Sequence, residues 1–312
     1  MTTRKPPPLP RPAISTKILR HGTDGLYVKG HTNGFQLVGT AIVVDGNGRS
    51  GVIYDIGTKH DNDVTSNCYV RIKPRINKTK WGFRRYEMSG YTEETVVDNP
   101  GMEHGFYDSH RGTYTYRNCA ARYCGAQGFQ ARLSGNRGDP DWSNTKTLSY
   151  IGCTTLECGQ ERGGGRAGFS ISIKDQGPNT DVVIDDCYIR TIFQTATKVY
   201  NGKTYDSFGA LCVEYCKSLT LTNTYIEMKN PDRDVVQLFD YANKAVTKTG
   251  PARIDIDGLE IERGGNLVLR EEGASVRIAN CIGTGFIKIM RRDAGGTWRL
   301  NRTVPLAQGL VL

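Results

Sequence analysis

The dipeptide Gly-Phe returns through most of this chain, and it limits the fold more strongly than any other feature. It occurs at Gly34-Phe35, Gly82-Phe83, Gly105-Phe106, Gly128-Phe129, Gly168-Phe169 and Gly285-Phe286. A second signature runs in step with it, a short alternating strand whose last residue is usually small and often Cys: Cys119, Cys153, Cys187, Thr224, Leu259 and Cys281. The spacings are 34, 34, 37, 35 and 22 residues. Two strands per unit with gaps of variable length predict a coil of short strands, in which each turn packs on the next.

Composition excludes two broad classes for this chain of 312 residues. A hydrophobic content of 38% is too high for disorder, and no apolar run approaches the ~18 residues of a membrane span. The net charge of +9 favours an acidic partner, namely a polysaccharide, a nucleic acid or a protein surface, although a solvated basic surface fits equally well. Neither a recognition helix nor a basic-aromatic stripe is present, which disfavours nucleic acid.

The nine cysteines, an odd number, are predicted to be mostly free thiols, because the Pro-rich N-terminus does not read as a secretory signal. Four of them occupy the same place in successive strands and are expected to stack inside as small apolar residues: Cys119, Cys153, Cys187 and Cys281. No close pair such as C-x-x-C occurs, so neither a zinc site nor a cofactor is expected.

Four segments are predicted along the chain. Residues 1–15 form an extended Pro-rich arm, because proline restricts the backbone and removes hydrogen-bond donors. Residues 16–100 form an N-terminal cap with the first irregular coils, residues 101–290 form the regular body, and residues 291–312 form a C-terminal cap or an oligomerisation segment. Three asparagines at strand ends of the body are expected to take the left-handed backbone of tight corners: Asn118, Asn223 and Asn280.

This style of repeat, with its Gly-Phe, Asn-Cys and Ile-x-Ile-x-Asn elements, resembles the right-handed parallel β-helix proteins of the pectate-lyase-like superfamily over roughly residues 30–290. The resemblance implies an all-β fold, a single-stranded right-handed parallel β-helix (solenoid) with an extended Pro-rich N-terminal arm. It specifies the fold better than the activity, because the superfamily holds polysaccharide lyases, hydrolases and epimerases as well as bacteriophage tailspikes and non-catalytic virion proteins.

Polar residues that flank the Gly-Phe columns are expected to face outward and to stack about 4.8 Å apart on successive turns. Residues 102–111 resemble the active loops of polyuronate lyases and epimerases, and a Tyr/His pair beside an Arg can transfer protons next to a uronate. If the chain is an enzyme, its candidate catalytic residues are His104, Tyr107, Asp108, His110 and Arg132. The candidate glycan-binding residues are Gln127, Gln130, Ser170, Ser172 and Lys174. The same segment can equally be an ordinary corner followed by an exposed strand.

Two functions from different classes remain open. The first is a structural or receptor-facing bacteriophage virion protein, tailspike-like or capsid-decoration-like, with carbohydrate binding as an option. Its arm is expected to dock on a neighbouring subunit, and the resemblance implies a homo-oligomer, most simply a homotrimer. The second is a secreted polysaccharide lyase, hydrolase or epimerase that acts on an acidic polysaccharide. Neither function involves a membrane. The arm residues expected to take part in assembly are Lys5, Pro7, Leu9 and Arg11.

Overall fold

A computed structural model describes residues 4–22, 24–45, 50–55, 58–73, 81–99, 103–132, 147–159, 168–172, 180–191, 197–200, 203–206, 209–214, 216–228, 234–239, 253–270 and 273–312. This part of the chain is all-β. It holds thirty-one strands, two short 3-10 turns at Glu262–Gly264 and Leu306–Gln308, and no α-helix.

The strands are short throughout, with two exceptions of more than ten residues. The first half of the chain contributes β1 (Thr16–His21), β2 (Leu26–Val28), β3 (Thr32–Asn33), β4 (Gln36–Val38), β5 (Thr40–Asp45), β6 (Ser50–Tyr54), β7 (His60–Ser66), β8 (Tyr69–Ile72), β9 (Trp81–Glu93), β10 (Val96–Asp98), β11 (Phe106–Arg117), β12 (Ala120–Arg122), β13 (Phe129–Arg132), β14 (Thr147–Ile151) and β15 (Thr154–Cys158). The second half contributes β16 (Phe169–Ser172), β17 (Asp181–Asp185), β18 (Tyr188–Thr191), β19 (Thr197–Tyr200), β20 (Lys203–Asp206), β21 (Leu211–Glu214), β22 (Ser218–Thr222), β23 (Tyr225–Met228), β24 (Asp234–Phe239), β25 (Arg253–Asp257), β26 (Glu260–Ile261), β27 (Asn266–Arg270), β28 (Ser275–Ala279), β29 (Phe286–Arg292), β30 (Trp298–Pro305) and β31 (Leu310–Val311).

The strands form three stacks of parallel strands. The first stack has the order β1-β5-β8-β10-β12-β15-β18-β23-β26. The second runs β2-β6-β9-β11-β13-β16-β21-β24-β27-β29, and the third runs β4-β7-β9-β11-β14-β17-β22-β25-β28. The long strands β9 and β11 belong to both the second and the third stack, because β9 pairs with both β6 and β7 of the preceding repeat and β11 pairs with both β13 and β14 of the next. At the C-terminal end the pairing becomes antiparallel, β29 with β30 and β28 with β31.

The central Gly-Phe dipeptides form a column in the core of the second stack. Phe83, Phe106, Phe129 and Phe169 are buried, and their rings follow one another at centroid distances of 5.1, 4.7 and 4.7 Å. Glycine precedes each Phe because the turns approach closely there: a Cβ on Gly105 would lie 2.7 Å from the carbonyl oxygen of the glycine one turn on, Gly128. The last dipeptide differs, since Ile287 takes the inward position and Phe286 is 45% exposed.

The corners between the third and first stacks follow the sequence pattern. Asn118, Asn223 and Asn280 have φ angles of 48°, 49° and 52°, which confirms the predicted left-handed backbone. All nine cysteines are buried and free, as their spacing predicts. The corner residues therefore fix where each turn of chain bends, and the adjacent thiols fill the narrow interior beside them.

Candidate functional site

Two of the predicted catalytic residues face the interior. Phe106, Asp108 and His110 alternate along β11 on its inward side, and all three are buried. The expectation that this segment forms an outward strip is therefore wrong for Asp108 and His110, because the period of two in a strand places them on the side of Phe106. From that position the Asp108 carboxylate cannot contact a polysaccharide on the surface.

The other three predicted catalytic residues differ in how accessible their side chains are. His104 is buried with its Nε2 atom 3.1 Å from a Glu103 carboxylate oxygen, and its ring stacks on that of half-buried Tyr107 at 5.1 Å. The backbone of Arg132 ends β13, whereas its side chain lies outside the described part of the chain. Of the five predicted catalytic residues, Tyr107 alone is described with an outward-facing and partly accessible side chain.

Asp108 belongs to a buried network that joins neighbouring turns. The Arg85 guanidinium donates two hydrogen bonds to it, from Nε at 3.0 Å and from Nη2 at 2.6 Å, and both side chains are fully buried. A further nitrogen of Arg85 donates to the hydroxyls of Thr65 and Thr92, each at 3.1 Å. The Tyr116 hydroxyl donates to the second carboxylate oxygen. Each buried charge thus has an opposite charge or hydroxyl groups as hydrogen-bond partners, because a buried charge without partners is strongly destabilising.

Burial and charge set the protonation of this network. Burial alone would lower the pKa of Arg85, but the charge and hydrogen bonds of Asp108, together with the nearby tyrosines, outweigh burial and raise the pKa well above its usual value. Burial lowers the pKa of His110 to about 4, with the Asp108 charge opposing it in part. Burial, reinforced by the Asp108 charge, raises the pKa of Tyr116 well above its usual range. The Arg85 guanidinium therefore stays charged at neutral pH, while the nearby imidazole and phenol stay uncharged.

Among the predicted glycan-binding residues, Gln130 and Ser170 lie on the outer side of the second stack, and their accessibility is low. The register aligns Gln130 with Ser170 across β13 and β16, one strand on from Tyr107. Gln127 and Ser170 are buried, and Gln130 is half-buried. The side chain of Ser172 and the whole of Lys174 lie outside the described residues. For Gln127 and Ser170 the expectation of an exposed binding strip is wrong, because the outer side of this stack is covered at those positions.

The third stack presents an open polar face, and a groove lies at its N-terminal end. The groove has a volume of about 750 Å³. Tyr91, which is 39% exposed, pairs in register with Thr115, and Glu93 pairs with Arg117 two positions further along. The remaining lining residues are small or polar: Asn62, Ser89, Gly90, Gly112 and Thr113. An accessible aromatic ring beside hydroxyl, amide and guanidinium groups is a suitable surface for a sugar ring.

Irregularities in β9 and β11 create this groove. The ladders shift register between His60 and Asp63 and between His110 and Tyr114. At the first shift Gly90 has φ of 120°, and a Cβ there would lie 2.1 Å from the Asp63 carbonyl oxygen. The signal in the sequence was a glycine inside each long strand, which marks a bulge or a close backbone approach. Sequence reasoning missed the groove because it followed the Gly-Phe columns instead.

The Pro-rich arm lies against the body of its own chain. The Ala13 amide donates to the Asn67 side-chain oxygen at 3.4 Å, and the Ser15 amide donates to the Gly39 carbonyl oxygen at 2.8 Å. At the other end, the Arg4 guanidinium lies 5.9 Å from the centre of the Tyr225 ring. Among the residues expected to take part in assembly, Lys5, Pro7 and Arg11 are exposed and Leu9 is half-buried. Docking of the arm on a neighbouring subunit stays a prediction.

Within the described residues, no group of three or more His, Cys, Asp or Glu side chains is arranged to hold a metal ion, and no helix is long and apolar enough to cross a membrane. The chain was also compared with known proteins. No family model, no curated protein and no solved structure matches it.

Proposed function

We propose that this chain is a right-handed, single-stranded parallel β-helix of the pectate-lyase-like kind, and that it is a structural, receptor-facing protein of a bacteriophage virion that binds a saccharide. The pairing supports the β-helix: Tyr116 pairs with Tyr150, which is 34 residues on. Parallel pairing with the next repeat recurs in the other two stacks, from Ala120 to Thr154, 34 residues on, and from Phe129 to Phe169, 40 residues on. A chain that pairs in parallel with itself one repeat later, three times per repeat, coils around a single core.

The observation that carries the functional part is that a carboxylate and an imidazole predicted for catalysis are inaccessible. Asp108 and His110 of β11 are buried inside the body, whereas Tyr107 is partly accessible. The accessible groove carries Tyr91, hydroxyl groups and the Glu93–Arg117 pair. Such a surface can hold a sugar by ring stacking and hydrogen bonds, and Arg117 can meet the carboxylate of an acidic sugar. Binding without cleavage is therefore favoured over a lyase or hydrolase centred on residues 102–111.

Two further features agree with a virion component. All nine thiols are buried and unpaired, as suits a protein that folds in the host cytoplasm before assembly. The exposed basic and proline residues of the arm give a linear segment that can reach a neighbouring subunit. The net charge of +9 adds long-range attraction to an acidic cell-surface polysaccharide.

Calorimetric titration with acidic bacterial oligosaccharides tests this proposal. We expect Tyr91→Ala to weaken binding about 10-fold, equivalent to about 1.4 kcal/mol, because stacking on the ring is lost. The matched control is Tyr123→Ala, since Tyr123 is 45% exposed but lies outside the groove, and this variant should bind as the wild type does. Equal loss in both variants, or no binding by the wild type, would contradict the saccharide site. Release of shortened oligosaccharides that requires Tyr107 would instead favour the enzyme.

A further inference from the structure

One row of outward-facing residues in the first stack is buried although it does not belong to the core. Its members are between 0% and 3% exposed: Val96, Ala120, Thr154, Tyr188 and Tyr225. The residues that follow them in each strand point inward, and four of these belong to the hydrophobic core: Val97, Ala121, Ile189 and Ile226. Something outside the sheet therefore covers this row, which we call the arm groove.

The N-terminal arm runs along the arm groove. Ala13 contacts Asn67 at the start of β8, and Arg4 reaches Tyr225 on β23, which lies five strand spacings away. Five spacings amount to about 24 Å. Nine residues of extended proline-rich chain span about 28 Å. Prolines of the arm line one cavity together with Thr154 and Tyr188 of the groove. The length and the contacts together place residues 4–13 over the covered row.

The groove is chemically matched to a basic segment. The rings of Tyr188 and Tyr225 stack at 5.0 Å, and the Tyr188 hydroxyl donates to a Glu227 carboxylate oxygen at 3.2 Å. Stacked aromatic rings beside a carboxylate attract a guanidinium group. Further along, Glu94 and Asp186 line the same cavity as Arg4 and Lys5. Acidic and aromatic groups of the body thus lie near Arg4 and Lys5, the two basic residues at the distal end of the arm.

The arm is held only at its base by hydrogen bonds. Among the described residues, those that join it to the body involve Ala13, Ser15 and Thr16, next to the start of β1. Residues 4–8 are all exposed on their outer side. A segment that is fixed at one end and held elsewhere by side-chain packing can leave its groove and enter an identical groove on another molecule, since every contact is the same in both arrangements.

We propose that the arm groove is the docking site for the arm of a second copy of this chain, so that neighbouring subunits are linked by exchanged arms. The occupant is specified by the structure itself, because the one sequence shown to fit this groove is residues 4–13. Arg4, whose guanidinium lies over the Tyr225 ring, is the distal anchor, and Ala13 to Ser15 form the hinge. This inference rests on the assembly part of the proposed function and identifies the partner and the acceptor surface.

Complementation between two full-length variants tests the exchange. In the first variant, Thr154→Arg fills the groove with a like charge and leaves the arm intact. In the second, Arg4→Glu with Lys5→Glu disables the arm and leaves the groove intact. Light scattering after size-exclusion chromatography should give an oligomer for the wild type and single chains for each variant alone. When the two variants are combined it should give a mixed oligomer, because the intact arm of the first variant enters the intact groove of the second.

A wild type that is a single chain would overturn the inference, and so would variants that stay single chains when combined. If Thr154→Arg does not give a wild-type far-ultraviolet circular dichroism spectrum, Tyr225→Ser removes the distal anchor with less disturbance and takes its place. Saccharide binding at the Tyr91 groove should be unchanged in every arm variant, because that groove lies on a different stack. An oligomer that persists in both variants would refute arm exchange. It would not bear on the saccharide proposal, which the Tyr91→Ala titration tests separately.

Discussion

Removal of the charge of Asp108 by the conservative substitution Asp108→Asn should destabilise the protein far more than the small change in side-chain shape suggests. Asp108→Asn keeps the shape of the side chain but leaves the fully buried Arg85 guanidinium with neutral hydrogen-bond acceptors and no opposite charge beside it. A buried charge that loses its partner costs about 3–5 kcal/mol. For a chain of 312 residues, a loss of about 4 kcal/mol lowers the melting temperature by about 6 °C.

The assay is thermal and urea unfolding at pH 7, followed by circular dichroism. The matched control is Asp45→Asn, because Asp45 pairs with Lys73 at 3.2 Å on the surface and should lose at most about 1 kcal/mol. The double variant Arg85→Met with Asp108→Leu should recover much of the loss, since apolar residues replace the pair without stranding a charge. A single variant within about 1 kcal/mol of the wild type, or a double variant less stable than the single one, would refute this reasoning.

Three further predictions concern stability. The unfolded chain binds a proton at His110 near pH 6.5 but the folded chain only near pH 4, so the free energy of unfolding should fall by about 3 kcal/mol as the pH falls between these values. In urea titrations, His110→Gln should reduce this dependence of stability on pH. The dependence that remains comes from His60, whose pKa burial also lowers to about 4. Gly105→Ala should cost about 1–3 kcal/mol in thermal unfolding because its Cβ meets the backbone of the next turn, whereas Gly295→Ala should cost little. Asn118→Val should be about 1–2 kcal/mol less stable than Asn118→Gly, and equal melting temperatures would contradict the left-handed corner.

The repetitive parts of the fold could be predicted from the sequence, because they depend on local chemistry that recurs. Asparagine at a corner reports a backbone constraint, and the left-handed backbone appears as predicted at Asn118. The glycine of the Gly-Phe repeat also reports a constraint, the close approach at Gly105, which only the structure revealed. The parallel stacks follow from the same repeat. The division of the chain at residues 100 and 290 stays a prediction.

The candidate site could not be predicted, because it depends on where the repeat is broken. Asp108 reads as a surface residue until its partner Arg85, 23 residues earlier, is known to lie beside it inside the core. The groove at Tyr91 arises from register shifts, and a shift changes which residues are neighbours without changing the local pattern. The arm groove needed the three-dimensional path of residues 4–13, which proline content alone does not give.

The buried ion pair also has a consequence for how the chain finds its alignment. Successive turns present nearly interchangeable apolar rows, so a strand could pair one turn too far along with little loss of packing. The inward row that contains Arg85 continues through Asp108 to Ala131 and Ile171. A slip of one turn would set the guanidinium of Arg85 against Ala131 and leave it without a carboxylate, at a cost of several kcal/mol. The pair therefore distinguishes one repeat from the others and specifies a single pairing register in an otherwise periodic sequence.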